Sequence, residues 1–235
     1  MKMLKFLLLL VTFAGVTIAK AQSADEIINK HIEAVGGKDK LSQVKSIYIE
    51  GTVNVMDNDN PYTISILNGK AFKYEAEFNG QKFIQCYTDS SGWMLNPFAG
   101  GSMEAMPDEV YKAGRDQILA TGPLFDYAAR GSKVELQGKE NEAYKIKVTS
   151  ANNVSSTYYI DASTYYITKS IRQGEAQGQM IDITTTYSDH KKTDFGIVLP
   201  YTLQNDFGGT FSIKNTVKKI EVNKEIDPSI FVMGK

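Results

Sequence analysis

Residues 62–80 read Tyr62-Thr63-Ile64-Ser65-Ile66-Leu67-Asn68-Gly69-Lys70-Ala71-Phe72-Lys73-Tyr74-Glu75-Ala76-Glu77-Phe78-Asn79-Gly80. Tyr62, Ile64 and Ile66 alternate with other residues, Phe72, Tyr74, Ala76 and Phe78 alternate again, and each run stops at an Asn-Gly pair. Period two sends every second side chain to one face of a strand. Asn-Gly supplies the left-handed residues that a tight hairpin needs. The stretch therefore encodes consecutive antiparallel strands, each with one apolar face.

The same pattern extends in both directions. Upstream, Ile47, Ile49, Gly51, Val53 and Val55 alternate with polar residues, and residues 57–61 read as a turn. Asp57-Asn58-Asp59-Asn60 resembles the start of a calcium loop, but it lacks the Gly and the distant Glu of an EF-hand. Downstream, residues 81–88 and 93–96 continue the series. It resumes after residue 130 at 133–136, 143–149, 155–160, 166–172, 179–187, 197–203 and 211–222. Pro200 marks its strand as bulged or near an edge. The tail Ile226-Asp227-Pro228-Ser229-Ile230-Phe231 is expected to pack back on the core. So many antiparallel strands either close into a barrel or curl around something that covers their apolar face. The sequence predicts a mainly β (α+β) fold: an open, curled antiparallel half-barrel of about 10–12 strands, with helices over its concave face. That face should be lined by Ile, Val, Phe, Tyr and Met.

Two regions supply the cover. Before the strands, Ser23 and Glu26 form a capping box. Ile28, Ile32 and Val35 recur at helical spacing, and Gly36-Gly37 stops the helix. A second short helix is expected over residues 38–44. The other region is the break in the hairpin series between Trp93 and Arg130. It begins Trp93-Met94-Leu95-Asn96-Pro97-Phe98-Ala99-Gly100-Gly101-Ser102-Met103-Glu104-Ala105-Met106-Pro107. Pro107 with Asp108-Glu109 suits a helix start. Val110, Tyr111, Ile118 and Leu119 give an apolar stripe, Gly114 weakens its middle, and Gly122-Pro123 ends it. Residues 124–129 make a further turn or two.

An insert rich in Met and aromatics must cover something apolar, either the protein's own core or a ligand. Methionine re-packs around irregular shapes and suits both roles. The candidate lining or lid residues are Trp93, Met94, Phe98, Met103, Met106, Ile118, Leu119, Phe125 and Tyr127. Gly100-Gly101 is a candidate hinge.

Residues 1–21 read as a secretory leader: Lys2 and Lys5, an apolar run over residues 6–18, then Ala19-Lys20-Ala21. An uncleaved anchor is the alternative. No Cys follows the apolar run to accept a lipid. Removing the leader with Lys2, Lys5 and Lys20 leaves 23 basic residues against 27 acidic, a net charge of −4. That mild acidity gives no footprint for nucleic acid. The single cysteine, Cys86, has no intramolecular disulfide partner and sits inside a strand pattern, as a buried structural thiol would. There are two histidines, His31 and His190, without metal-ligand spacing. His31 reads as a satisfied or exposed helix residue. No nucleophile elbow, phosphate loop or dinucleotide motif is present. The composition predicts no enzyme, no cofactor and no metal.

Several segments, taken in order, resemble one known family. They are residues 24–37 (Ala24-Asp25-Glu26-Ile27-Ile28-Asn29-Lys30-His31-Ile32-Glu33-Ala34-Val35-Gly36-Gly37), Leu41 and residues 47–52. Later come Gly122-Pro123-Leu124-Phe125-Asp126-Tyr127, Tyr158-Tyr159-Ile160-Asp161, Val198-Leu199-Pro200-Tyr201 and residues 226–231. Together they are similar to exported Bacteroidetes proteins grouped with the outer-membrane lipoprotein carriers of the LolA/LolB type. The resemblance implies one LolA-like lipid-binding domain over residues 22–235. It also implies a half-barrel whose cavity holds acyl chains of lipids or lipoproteins in the periplasm. It carries over no gating residue, since no Arg precedes Arg115. The expected partners are acyl chains and envelope transport proteins, and the expected state is a monomer. An interaction or sensor module with the same fold is the alternative. An enzyme on apolar substrates would need a convergent polar set, for which Arg115, Asp126 and Tyr127 are the only cluster.

Overall fold

The computed structural model describes residues 22–55, 57–176 and 178–234; the leader expected over residues 1–21 lies outside them. Helix α1 (Ala24–Ala34) and the single turn α2 (Lys38–Leu41) precede six strands: β1 (Ser46–Val55), β2 (Asn58–Leu67), β3 (Ala71–Phe78), β4 (Gln81–Thr88), β5 (Gly92–Leu95) and β6 (Met103–Ala105). Helix α3 (Asp108–Gly114) and a 3₁₀ turn (Arg115–Ile118) follow. Seven more strands complete the chain: β7 (Lys133–Glu140), β8 (Ala143–Thr149), β9 (Ser155–Asp161), β10 (Ile167–Ala176), β11 (Gln179–Lys192), β12 (Val198–Phe207) and β13 (Phe211–Val222).

The thirteen strands form one open antiparallel sheet in the order β6-β5-β4-β3-β2-β1-β13-β12-β11-β10-β9-β8-β7. The chain starts at the middle of this sheet and runs out to one edge by hairpins. It crosses over through residues 106–132, then returns from the other edge to the middle. The half-barrel reading holds. The strand beyond the expected dozen is β6, which pairs with β5 from inside the insert.

Local differences from the sequence reading have simple causes. Val55 pairs directly with Asn58, so β2 begins within the turn expected at residues 57–61, and Asp57 takes φ 62°. Pro61 therefore lies within β2. It sits one residue outside the first β2–β3 pair, Tyr62↔Ala76. Pro200 in β12 lies two residues outside the first pair to β13, Thr202↔Thr216. That strand is interior rather than at an edge. Both prolines occupy places where one neighbour has not yet begun to pair, so no ladder hydrogen bond to that neighbour is lost. In the insert, the α-helix stops at Gly114, where it rests directly on Tyr87. A Cβ at Gly114 would lie 2.5 Å from that ring.

The concave face divides into two regions. Over β7–β9, α1 and residues 124–125 close a dense core: Ile27, Ile28 and Leu124 meet Ile146, Val148 and Ile160. The capping box is present as expected, with Ser23 Oγ accepting from Glu26 N–H at 3.1 Å and Glu26 Oε2 accepting from Ser23 N–H at 3.2 Å. His31 is buried there, 2.8 Å from the Tyr165 carbonyl through Nδ1.

On the convex face the C-terminal tail covers β3–β5. Ile226, Ile230 and Phe231 pack on Ala71, Ile84, Cys86 and Trp93. The Trp93 indole N–H donates to the Phe231 carbonyl at 2.8 Å, and the Cys86 thiol lies 3.4 Å from the same oxygen. Burial pushes that thiol up to about 12, which keeps it protonated and inert. Trp93 is the sole tryptophan, so it reports on this contact. Phe231→Ala should lower stability by about 3 kcal/mol and red-shift Trp93 emission; urea unfolding followed by fluorescence checks both.

Candidate functional site

The rest of the concave face is not packed. Between α3 and the inner side of β1–β5 and β10–β13 lies a cavity of about 1240 Å³. That exceeds the roughly 300–1,000 Å³ of ordinary small-molecule sites. Its floor is the alternating set of strand residues: Ile47 and Ile49 from β1, Ile64 and Ile66 from β2, Phe72 and Tyr74 from β3. On the far side Ile183, Leu203, Phe207 and Ile213 continue the same lining. Val110, Gly114 and Leu119 face it from the insert.

The two ends differ. His31, Val35 and Leu41 shut one end beside the α1 core. At the other end the lining reaches hairpin tips, where Phe98, Phe211 and Met180 are 73%, 41% and 37% exposed. Phe98 stacks obliquely on Phe78 at 5.9 Å, and Phe207 lies flat on Phe211 at 4.5 Å. Exposed apolar side chains ringing a concavity mark a place where something apolar enters or docks.

The nine residues singled out from the insert separate. Met94, Phe98 and Leu119 line the cavity. Met106 and Ile118 are buried beside it, packed with Phe72 and Tyr87. Phe125 and Tyr127 belong to the α1 core instead. Trp93 and Met103 lie on the opposite face of the sheet. β5 alternates, so Trp93 points to the tail while Met94 points inward, and Met103 lies against Gly234. The strand residues that form most of the lining carry no local motif. Their signal is the alternation alone.

The cavity also carries polar side chains: acids at Glu104, Asp108 and Glu109, and deeper groups such as Tyr62, Tyr74, Gln85, Arg172, Asn205 and Asn215. Tyr62 and Tyr74 stack at 5.5 Å. Burial raises both phenols, Tyr62 to about 12, so they stay neutral. Arg172 contributes a guanidinium whose described contact is the Gln173 carbonyl at 3.4 Å. Thr185 Oγ1 donates to Asn205 Oδ1 at 2.8 Å. Asn215 Oδ1 is buried without a partner among the described residues. The cluster Arg115, Asp126 and Tyr127 does not converge: Arg115 reaches the Asp89 carbonyl, while the Tyr127 hydroxyl donates to Asp25.

His31 and His190 both line the cavity, although 159 residues separate them in sequence. Burial lowers both from the ordinary 6.5, against the opposing pull of the Tyr165 and Ile167 carbonyls. A base whose native pKa is depressed is better protonated in the unfolded chain. Stability is then full above about pH 6.5 and falls as pH drops below it. The urea midpoint should decline from pH 7 to pH 5. His31→Asn, whose amide nitrogen takes the place of Nδ1 toward the Tyr165 carbonyl, should flatten that decline.

No family profile and no curated protein sequence matches the chain. Solved structures do. A DUF1329 family protein from Desulfovibrio piger superposes with a TM-score of 0.58 at 12% identity, covering 90% of this chain and 98% of the other. A LolA superfamily protein from Nitrosomonas europaea gives 0.58 at 11% identity, with coverage of 90% and 98%. A putative outer membrane lipoprotein-sorting protein domain from Vibrio parahaemolyticus gives 0.55 at 12%, with 88% and 94%. At such identities the likeness is one of fold, and that fold is LolA-like.

The rim is testable by itself. Phe98→Ser removes an exposed ring, so stability should change by no more than about 0.5 kcal/mol. Binding of an apolar fluorescent probe should weaken nonetheless; a probe titration beside urea unfolding separates the two effects.

Proposed function

We propose that the protein is an exported, periplasmic, non-enzymatic carrier that holds acyl chains of lipids or lipoproteins in its concave cavity. The observation that supports this most is the cavity itself: large, apolar, open at one end, and left unfilled by a chain that packs its other surfaces well. Each methylene moved from water into such a site contributes about 0.8 kcal/mol. A carrier must offer surface of this kind, or the chain stays in the membrane. The leader expected from the sequence would deliver the protein beyond the inner membrane, and no described helix is long and apolar enough to cross one. One fold neighbour is described as a putative outer membrane lipoprotein-sorting protein domain, which is consistent with this class of cargo. The exposed rim at Phe98, Phe211 and Met180 is where a donor or acceptor protein of the envelope would meet the mouth.

Native mass spectrometry of protein purified without detergent tests the reading. A co-purified lipid, or stoichiometric uptake of an offered fatty acid, is the expected result. Leu203→Trp, which drives an indole into the cavity from β12, should abolish that uptake while the protein stays folded. A clean apo mass that takes up no acyl probe would reject the carrier.

A further inference from the structure

Among the described residues, the fully buried side-chain oxygen that finds no partner is in this cavity, on Asn215. Asn215 lies on β13, the seventh of thirteen strands and so the centre of the sheet. Its cross-strand partners are Val53 on β1 and Leu203 on β12. Along its own strand, Ile213 and Val217 share its face and line the cavity with it. The residue is 8% exposed, and its Oδ1 has no hydrogen-bond partner among the described residues.

The neighbouring concave amide makes the contrast. Asn205, one strand away on β12, is answered by the Thr185 hydroxyl. Buried polar atoms in folded proteins almost always find partners, and one left without carries a penalty. Aliphatic side chains surround Asn215, so Leu or Val at this position would pack without that penalty. Hydrophobic burial alone gives no reason for an amide here.

The position is also set at a definite depth. Phe211, on the rim, is four residues away along β13, about 13 Å at the usual rise of a strand. The nearby floor is shaped for close approach. The Tyr62 ring lies over Gly51, where a Cβ would sit 2.6 Å from it, and Gly51 pairs with Val217.

Resting on the acyl-carrier reading above, we propose that Asn215 recognises a hydroxyl group carried within the acyl chain. The preferred ligand is then a hydroxylated fatty acyl group, with its hydroxyl well inside the chain rather than at the head. The hydroxyl donates to Oδ1, and its own oxygen is free to accept from the amide nitrogen. A plain hydrocarbon chain leaves the amide unanswered.

Calorimetric titrations of stearate and 12-hydroxystearate into the wild-type protein, Asn215→Leu and Asn215→Val test this. The wild type should bind the hydroxylated chain roughly three- to tenfold tighter, the range expected of one neutral hydrogen bond. Both variants should lose that preference while binding stearate as well as before or better. Their unfolding midpoints, measured alongside, should not fall. Stearate binding with no hydroxyl preference in the wild type would overturn the inference and leave the carrier reading standing. A preference that persists in a folded variant would also overturn it, and a cavity water would then be what satisfies the amide. Failure of both probes to bind would remove the carrier reading and this inference together.

Discussion

Among the described residues, every strand pairing but one joins neighbours in sequence. The exception is β1 with β13, which aligns Ile47 with Val222 and Asn54 with Lys214. Without it the sheet would be two separate meanders, each with a further unpaired edge. Asn223 latches one end of this seam. Its side chain accepts from the Lys45 N–H at 2.7 Å and donates to the Gln43 carbonyl at 3.1 Å, while its own N–H donates to the Ser46 carbonyl at 2.9 Å. Contacts this far apart in sequence are slow to form, because loop closure precedes any gain from pairing. The seam also carries the register shift between Glu50 and Gly51. A bulge increases local twist and bends a strand. At Gly51 the bent backbone leaves no room for a side chain: a Cβ would sit 2.3 Å from the Thr216 carbonyl oxygen. The pairing that unites the halves thus also contributes to the curl that makes one face concave.

Once the sheet curls, the cover decides what the concavity becomes. Helix α1 lays Ile27, Ile28 and Ile32 onto β7–β9 and closes that region as core. The insert has less to lay down. Its α-helix is only seven residues long, and it approaches the sheet where Gly114 lets it rest on Tyr87. Met106 and Ile118 fill in beside Phe72 and Tyr87, and the packing stops there. Beyond that point the strand residues face open space. A short cover over a wide sheet is therefore the structural origin of the cavity.

The sheet was largely legible in the sequence, because alternation and Asn-Gly turns are local signals. Helix α1 was legible for the same reason, through its capping box and its Ile spacing. The site was legible only in outline. Met94, Phe98 and Leu119 were reached from the insert's composition, but composition cannot say which side of a strand a residue takes. Trp93 and Met94 are adjacent and equally apolar, yet β-alternation sends one to the tail and the other to the cavity. The tail that captures Trp93 lies 138 residues away, beyond the reach of any local pattern. Asn215 was half legible: alternation puts it on the face of Ile213 and Val217, opposite Lys214 and Thr216. That its amide oxygen meets no partner there depends on side chains of neighbouring strands, which no local pattern shows.

The volume of the cavity bears on whether it can stand empty. Internal voids destabilise a protein by about 24 cal/mol per Å³. Applied to about 1240 Å³, that is on the order of 30 kcal/mol, more than the roughly 5–15 kcal/mol that holds a typical domain folded. The space therefore cannot be a sealed void. It is open to water through the rim, or it is occupied. Water alone is a poor occupant of a floor built from Ile47, Ile64, Phe72 and Leu203, which offers it few hydrogen bonds. A long apolar guest resolves both problems, since it fills the volume and replaces that weakly bonded water. The concavity is thus open to solvent, and a guest that displaced its poorly bonded water would enter past the exposed Phe98, Phe211 and Met180 at the mouth.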